Sequence, residues 1–161
     1  MGGHCIAVDP WFIVHSAPDI AKLIRQARET NNAKPRWVES KVVEAIRFVA
    51  ANHEIAETDV KVGCFGLAFK ANIDDLRESP SLDIVHTLAK DYRGQFIAVE
   101  PNINELPNSL RELGVQLQTT QAAIDECHII VMLVDHSEFV ETKPELRKGQ
   151  ILIDAKGIWL N

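Results

Sequence analysis

The apolar positions change their period along the chain. Ile20, Leu23, Ile24 and Ala27 recur at the three- and four-residue steps of an amphipathic helix. Ser16 stands where a helix cap belongs, with Pro18 in the first turn. Asn31, Asn32 and Pro35 predict the end of that helix. A second stripe, Val38, Val42, Ala45, Ile46 and Val49, predicts another helix from about Arg36 to Asn52. No strand pattern interrupts them, so residues 1–57 read as a helical segment. Two such helices bury little on their own. Their stripes need a further surface: the next domain, a part of a longer protein, or a second subunit.

Beyond Thr58 and Asp59 the stripes give way to short apolar runs. Val60–Gly66, Gln95–Val99, Val115–Leu117, His128–Val134 and Ile151–Asp154 read as strands. Between them, helices are predicted from about Ser81 to Tyr92, from Asn104 to a stop at Gly114, and from Gln121 to Glu126. Strands that alternate with helices imply right-handed βαβ units and a parallel sheet covered on both faces. Residues 58–161 are therefore expected to form an α/β, Rossmann-like domain with strand order 3-2-1-4-5. Ligands of such sheets lie beyond the carboxyl ends of the strands. The loops after Gly66, Val99, Val134 and Asp154 are the ones to watch.

Composition narrows the function. At 46% hydrophobic and 25% charged residues the chain is globular rather than disordered. A net charge of −6 weighs against nucleic acid as a partner but leaves room for a small anion held by a few local cations. Cys5, Cys64 and Cys127 are far apart and form no metal-binding spacing, so neither a disulfide framework nor a metal site is expected; a reducing, cytoplasmic setting fits. No apolar run reaches the roughly 18 residues of a membrane span. The dense Gly2-Gly3-His4-Cys5 motif at the very start reads as a chain cut from a longer protein or as a flexible tail.

Several residues carry chemistry. A Cys5 thiolate could attack an aldehyde, with glycines before it for close backbone approach and Asp9 four residues on; a small buried hydrophobe is the plainer reading of one cysteine. The loop from Gly66 lacks both a GxGxxG and a GxxxxGK[ST] motif, yet Lys70, Asp74, Asp75, Arg77, Glu78 and Ser79 crowd before Pro80. Lys70 and Arg77 could meet phosphates, or the loop is solvated and ends in a cap at Ser79 or Ser81. Glu100 is either a ribose-binding acid or a simple strand end. Lys156 faces the ligand edge or the solvent. The histidines other than His4 have no ligand spacing and read as ordinary.

Two long segments resemble one family. Gly2-Gly3-His4-Cys5-Ile6-Ala7-Val8-Asp9-Pro10 resembles the cysteine motif of the UDP-glucose/UDP-N-acetylhexosamine 6-dehydrogenases, and its His and Val-Asp-Pro are similar to the N-acetylhexosamine branch. Gly66 to Pro80 is similar to that family's C-terminal motif, and Ala27 to Asn31 with Pro35 to its central helical domain. The resemblance implies an NAD-dependent enzyme with an NAD-binding domain and a catalytic lysine before residue 1, a dimerising central domain ending near residue 57, and a UDP-binding domain from 58 to 161. It implies oxidation of the sugar C6 alcohol to a carboxylate with two NAD, the substrate expected of this branch being UDP-N-acetyl-D-mannosamine. Cys5 would form a thiohemiacetal and then a thioester, and Asp9 would help water hydrolyse it. Gly3, Lys70 and Lys156 would contact the UDP-sugar, Arg77 the NAD. Two rivals remain: an isolated, non-catalytic UDP-binding and dimerising module, and a redox protein that pairs Cys5 with Cys64 or Cys127.

Overall fold

The computed structural model describes residues 4–143 and 145–159, with side chains from residue 8 onward. Five parallel strands form one sheet: β1 (Val62–Phe65), β2 (Phe96–Val99), β3 (Gln116–Leu117), β4 (Ile129–Met132) and β5 (Ile151–Asp154). Their order, β3-β2-β1-β4-β5, is the expected one. The strand register is continuous, with Cys64 level with Ala98 on one side and Val131 on the other. The fold is therefore an α/β, Rossmann-like sheet.

Side chains on successive residues of each strand enter different layers, as the two-residue period of a strand requires. Val62, Cys64, Ala98, Ile129 and Val131 join one core; Phe65, Ile97, Val99, Ile130 and Met132 join the other. The first core lies under α2 (Lys22–His53), α3 (Pro80–Asp91) and α4 (Asn108–Arg111). The second lies under α5 (Thr120–Glu126) and α6 (Ser137–Glu141), where Phe65, Phe139 and Trp159 meet edge to face.

Two expectations need correction. Asn31, Asn32 and Pro35 do not end a helix: α2 runs for 32 residues straight through them. Packing on the sheet explains this. Val38, Val42, Ala45, Ile46 and Val49 are buried in the first core, and that burial outweighs one hydrogen bond lost at proline. The helix ends instead at Glu54, in the left-handed conformation. Ser16 does not cap α2; its hydroxyl donates back to the Phe12 carbonyl at 2.8 Å, inside α1 (His4–Ser16). That first helix and α6 are not predicted by the sequence pattern. Apolar residues fall around α1 rather than along one stripe, so its period is silent: Val14 is buried while Phe12 and Ile13 are exposed. The stripe of Ile20 and Leu23 faces outward too.

Candidate functional site

The carboxyl ends of β1, β2, β4 and β5 share one edge, and the loops leaving them meet there. Gly66 makes the first loop possible. Its φ is +88°, and a Cβ at that position would lie 2.4 Å from Cβ of Val134. The β1–α3 loop then runs to Ser79, which is buried. The Ser79 hydroxyl donates to the Leu67 carbonyl at 2.7 Å and accepts from the Leu82 amide, so one side chain ties the loop's start to the cap of α3. Of the two serines considered, Ser79 is the cap.

A buried polar centre holds this loop from below. Glu100, at the end of β2, accepts the Leu67 and Ala68 amides on Oε2 at 2.7 and 3.0 Å, and the amide and side chain of Asn102 on Oε1. His136 completes it, its Nε2 lying 3.0 Å from Oε2. The Asn72 amide donates to His136 Nδ1 at 3.0 Å, so Nδ1 presents a lone pair and Nε2 carries the proton toward Glu100. Asn72 in turn exchanges two side-chain bonds with Ser137. Burial pushes the Glu100 carboxyl up, but the bonds from His136, Leu67 and Asn102 outweigh it and hold the group below its ordinary value.

Among the described residues the contacts of Glu100 are internal and take up both of its oxygens, so the acid is more than a simple strand end and is poorly placed to accept a ribose hydroxyl. His136 is not ordinary either. Sequence reasoning passes over it because no metal-ligand spacing marks it. Its place two residues past the apolar run His128–Val134 is the available signal.

The loops present cations to the outside. Lys70 is exposed. Arg77 is exposed as well, and its guanidinium forks onto Asp75 at 2.8 and 2.7 Å. Those hydrogen bonds bring the Asp75 carboxyl down to about 2. Lys156 pairs with Asp135 at 2.9 Å, which lowers that carboxyl below its usual range. The β5 loop that carries Lys156 is folded by Asp154, whose carboxylate takes the amides of Lys156, Gly157 and Trp159. Lys156 also lines a cleft of about 480 Å³ between α2 and the sheet edge, with Arg28, Asn31, Lys34, Phe69 and Glu78 among its other walls.

Position 5 lies in α1, one turn before Asp9, which is exposed. Gly3 and the side chain of Cys5 lie outside the described residues. Lys70, Arg77 and Asp9 are not among the cleft's walls; Lys156 is. Cys64 and Cys127 are free and buried, and burial first of all pushes both thiols up, that of Cys127 to about 12. The described residues do not suit a dinucleotide. The glycine fingerprint is missing, and the acid at the end of β2 is fully engaged. Arg77, its side chain 87% exposed, could reach such a group from the rim by giving up its pair with Asp75.

This fold and loop set define a class. Residues 63–161 match the UDP binding domain of the UDP-glucose/GDP-mannose dehydrogenase family, and the chain belongs to that family. It is 47% identical over 159 residues to UDP-N-acetyl-D-mannosamine dehydrogenase of Yersinia pestis. It is 46% identical over the same length to NDP-N-acetyl-D-galactosaminuronic acid dehydrogenase of Ralstonia nicotianae. Each match covers 99% of this chain but only 38% and 35% of the relative. Among solved structures, UDP-N-acetyl-mannosamine dehydrogenase of Staphylococcus aureus superposes with a TM-score of 0.71 at 32% identity, over all of this chain and 35% of that one.

Proposed function

We propose that this chain supplies the nucleotide-sugar-binding part of an NAD-dependent UDP-sugar 6-dehydrogenase that acts on UDP-N-acetyl-D-mannosamine. The observation that carries the reading is the match of residues 63–161 to a UDP-binding domain, joined to near-complete coverage of the chain by N-acetylhexosamine dehydrogenases. NAD serves as the hydride acceptor and is held mainly by residues outside this chain. Residues 58–161 form the UDP-binding domain, and residues 1–57 end a central domain through which the enzyme dimerises. Supporting that role, Phe12 of α1, Ile20 of the turn that follows, and Leu23 and Phe48 of α2 hold apolar side chains in solvent. The free thiols of Cys64 and Cys127 fit a reducing, cytoplasmic setting. No described helix is long and apolar enough to cross a membrane.

Each residue has a task in this reading. Lys70 and Lys156 meet the nucleotide sugar, with the Gly3 backbone against the sugar. Arg77 exchanges Asp75 for the cofactor. The Cys5 thiolate adds to the C6 aldehyde, making a C–S bond while the carbonyl oxygen takes up a proton. NAD, when bound, would supply the acceptor for the C6 hydride, and with loss of the hydroxyl proton the adduct becomes a thioester, which water cleaves to carboxylate and free thiol. Asp9 assists the water that later releases the acid.

Calorimetry tests the reading on the chain itself. UDP is expected to bind and NAD is not. Binding of NAD with no binding of UDP would reverse the assignment.

A further inference from the structure

Among the described residues, Arg28 is a cation without a counter-ion. It projects from α2 and is only 9% exposed. Nη2 donates to Asn32 Oδ1 at 2.8 Å, and Nε is buried without an acceptor among the described residues. No carboxylate among the described residues lies within ion-pair distance of it. Buried guanidinium groups are normally paired, because the lost hydration has to be replaced by an anion or by acceptors. Here the replacement is incomplete.

The surroundings indicate what completes it. Arg28 lines the cleft of about 480 Å³, a volume typical of small-molecule sites. Lys34 and Lys156 line the same space. Glu78 and Asp83 line it too, yet neither pairs with Arg28. The cleft opens at the carboxyl edge of the sheet, where open α/β sheets hold their ligands. A guanidinium also matches phosphate better than an ammonium does, because it offers paired N–H donors in a fixed plane.

We propose that Arg28 binds the diphosphate of the nucleotide sugar in this cleft, with Lys156 on the facing wall. The assignment rests on reading the chain as UDP-binding. Its site lies partly on α2, outside the segment that matches the UDP-binding domain, which begins at residue 63.

The test compares UDP with uridine on the wild-type chain, Arg28→Met and Arg28→Lys, by calorimetry for UDP and NMR titration for uridine. Thermal melts of the ligand-free proteins accompany them. Arg28→Met is expected to weaken UDP at least tenfold and leave uridine unchanged, with Arg28→Lys in between. Its ligand-free melting temperature is expected to stay level or rise, since a buried N–H without an acceptor has been removed. UDP affinity within twofold of wild type would overturn the proposal and assign Arg28 to an acid of another chain segment or a second copy. Equal losses for UDP and uridine with a lower melting temperature would overturn it in favour of a structural role. No UDP binding by the wild type would sink the proposed function itself, a distinct result.

Discussion

Glu100 shows how one buried carboxylate can organise a site without touching a ligand. It gathers the first amides of the β1–α3 loop, and through His136 it reaches Asn72 in the middle of that loop. An amide cannot replace it, because one end of a glutamine would present N–H groups to N–H donors. Glu100→Gln is expected to destabilise the chain by about 3 kcal/mol, read from urea denaturation. The pH dependence has a definite sign. A carboxyl whose folded value lies below its unfolded one contributes stability above the unfolded value, and that contribution disappears as pH falls through the lowered one. Wild type should therefore lose stability on acidification more steeply than Glu100→Gln, which melts recorded from neutral to acid pH would reveal. Cys5 is a residue of another kind, with a role that depends on a complete enzyme. In the parent dehydrogenase, Cys5→Ser should abolish NADH production from the sugar alcohol; full turnover by that variant would remove the covalent role.

At the level of elements, α2 is the decisive one. Its second half belongs to the sheet's core and its first half forms a wall of the cleft. Pro35 lies between these halves, with no N–H to donate to the carbonyl four residues earlier. The local pattern of two asparagines and a proline argues for a break, and in an isolated peptide it would make one. Tertiary burial of five apolar side chains overrides it. Pro35→Ala should then stabilise the chain by about 1–2 kcal/mol, the restored hydrogen bond being partly offset by a freer unfolded chain. A rise in the thermal midpoint would confirm that the helix is continuous, and an unchanged or lower midpoint would speak for a real interruption.

Across the whole molecule, the outward apolar residues of α1, α2 and the turn between them contrast with a well-filled core. Ile20 is 88% and Leu23 81% exposed. If the central segment dimerises, the chain should self-associate with rising concentration in sedimentation equilibrium. The double variant Ile20→Glu, Leu23→Glu should remain monomeric with an unchanged thermal midpoint. Equal association of both proteins would move the interface elsewhere.

The sheet is legible in the amino-acid pattern alone. Strand runs, turn residues and right-handed crossovers leave few topologies open, and the apolar character of β1, β2 and β4 reflects burial on both faces. The place of Lys156 at the sheet's carboxyl edge is legible as well, because the end of a parallel strand is a position that sequence order defines. Other features are decided only by packing. The continuity of α2 depends on a surface formed by residues far along the chain. The Glu100–His136 pair joins residues 36 apart in sequence, and no local spacing announces it. In the sequence, Arg28 is one more polar residue on an amphipathic helix. Only when α2 lies against the sheet edge is that guanidinium buried and left facing a cleft. Local patterns determine which segments become strands or helices; long-range burial decides which charges lose their water, and with it where a ligand can be held.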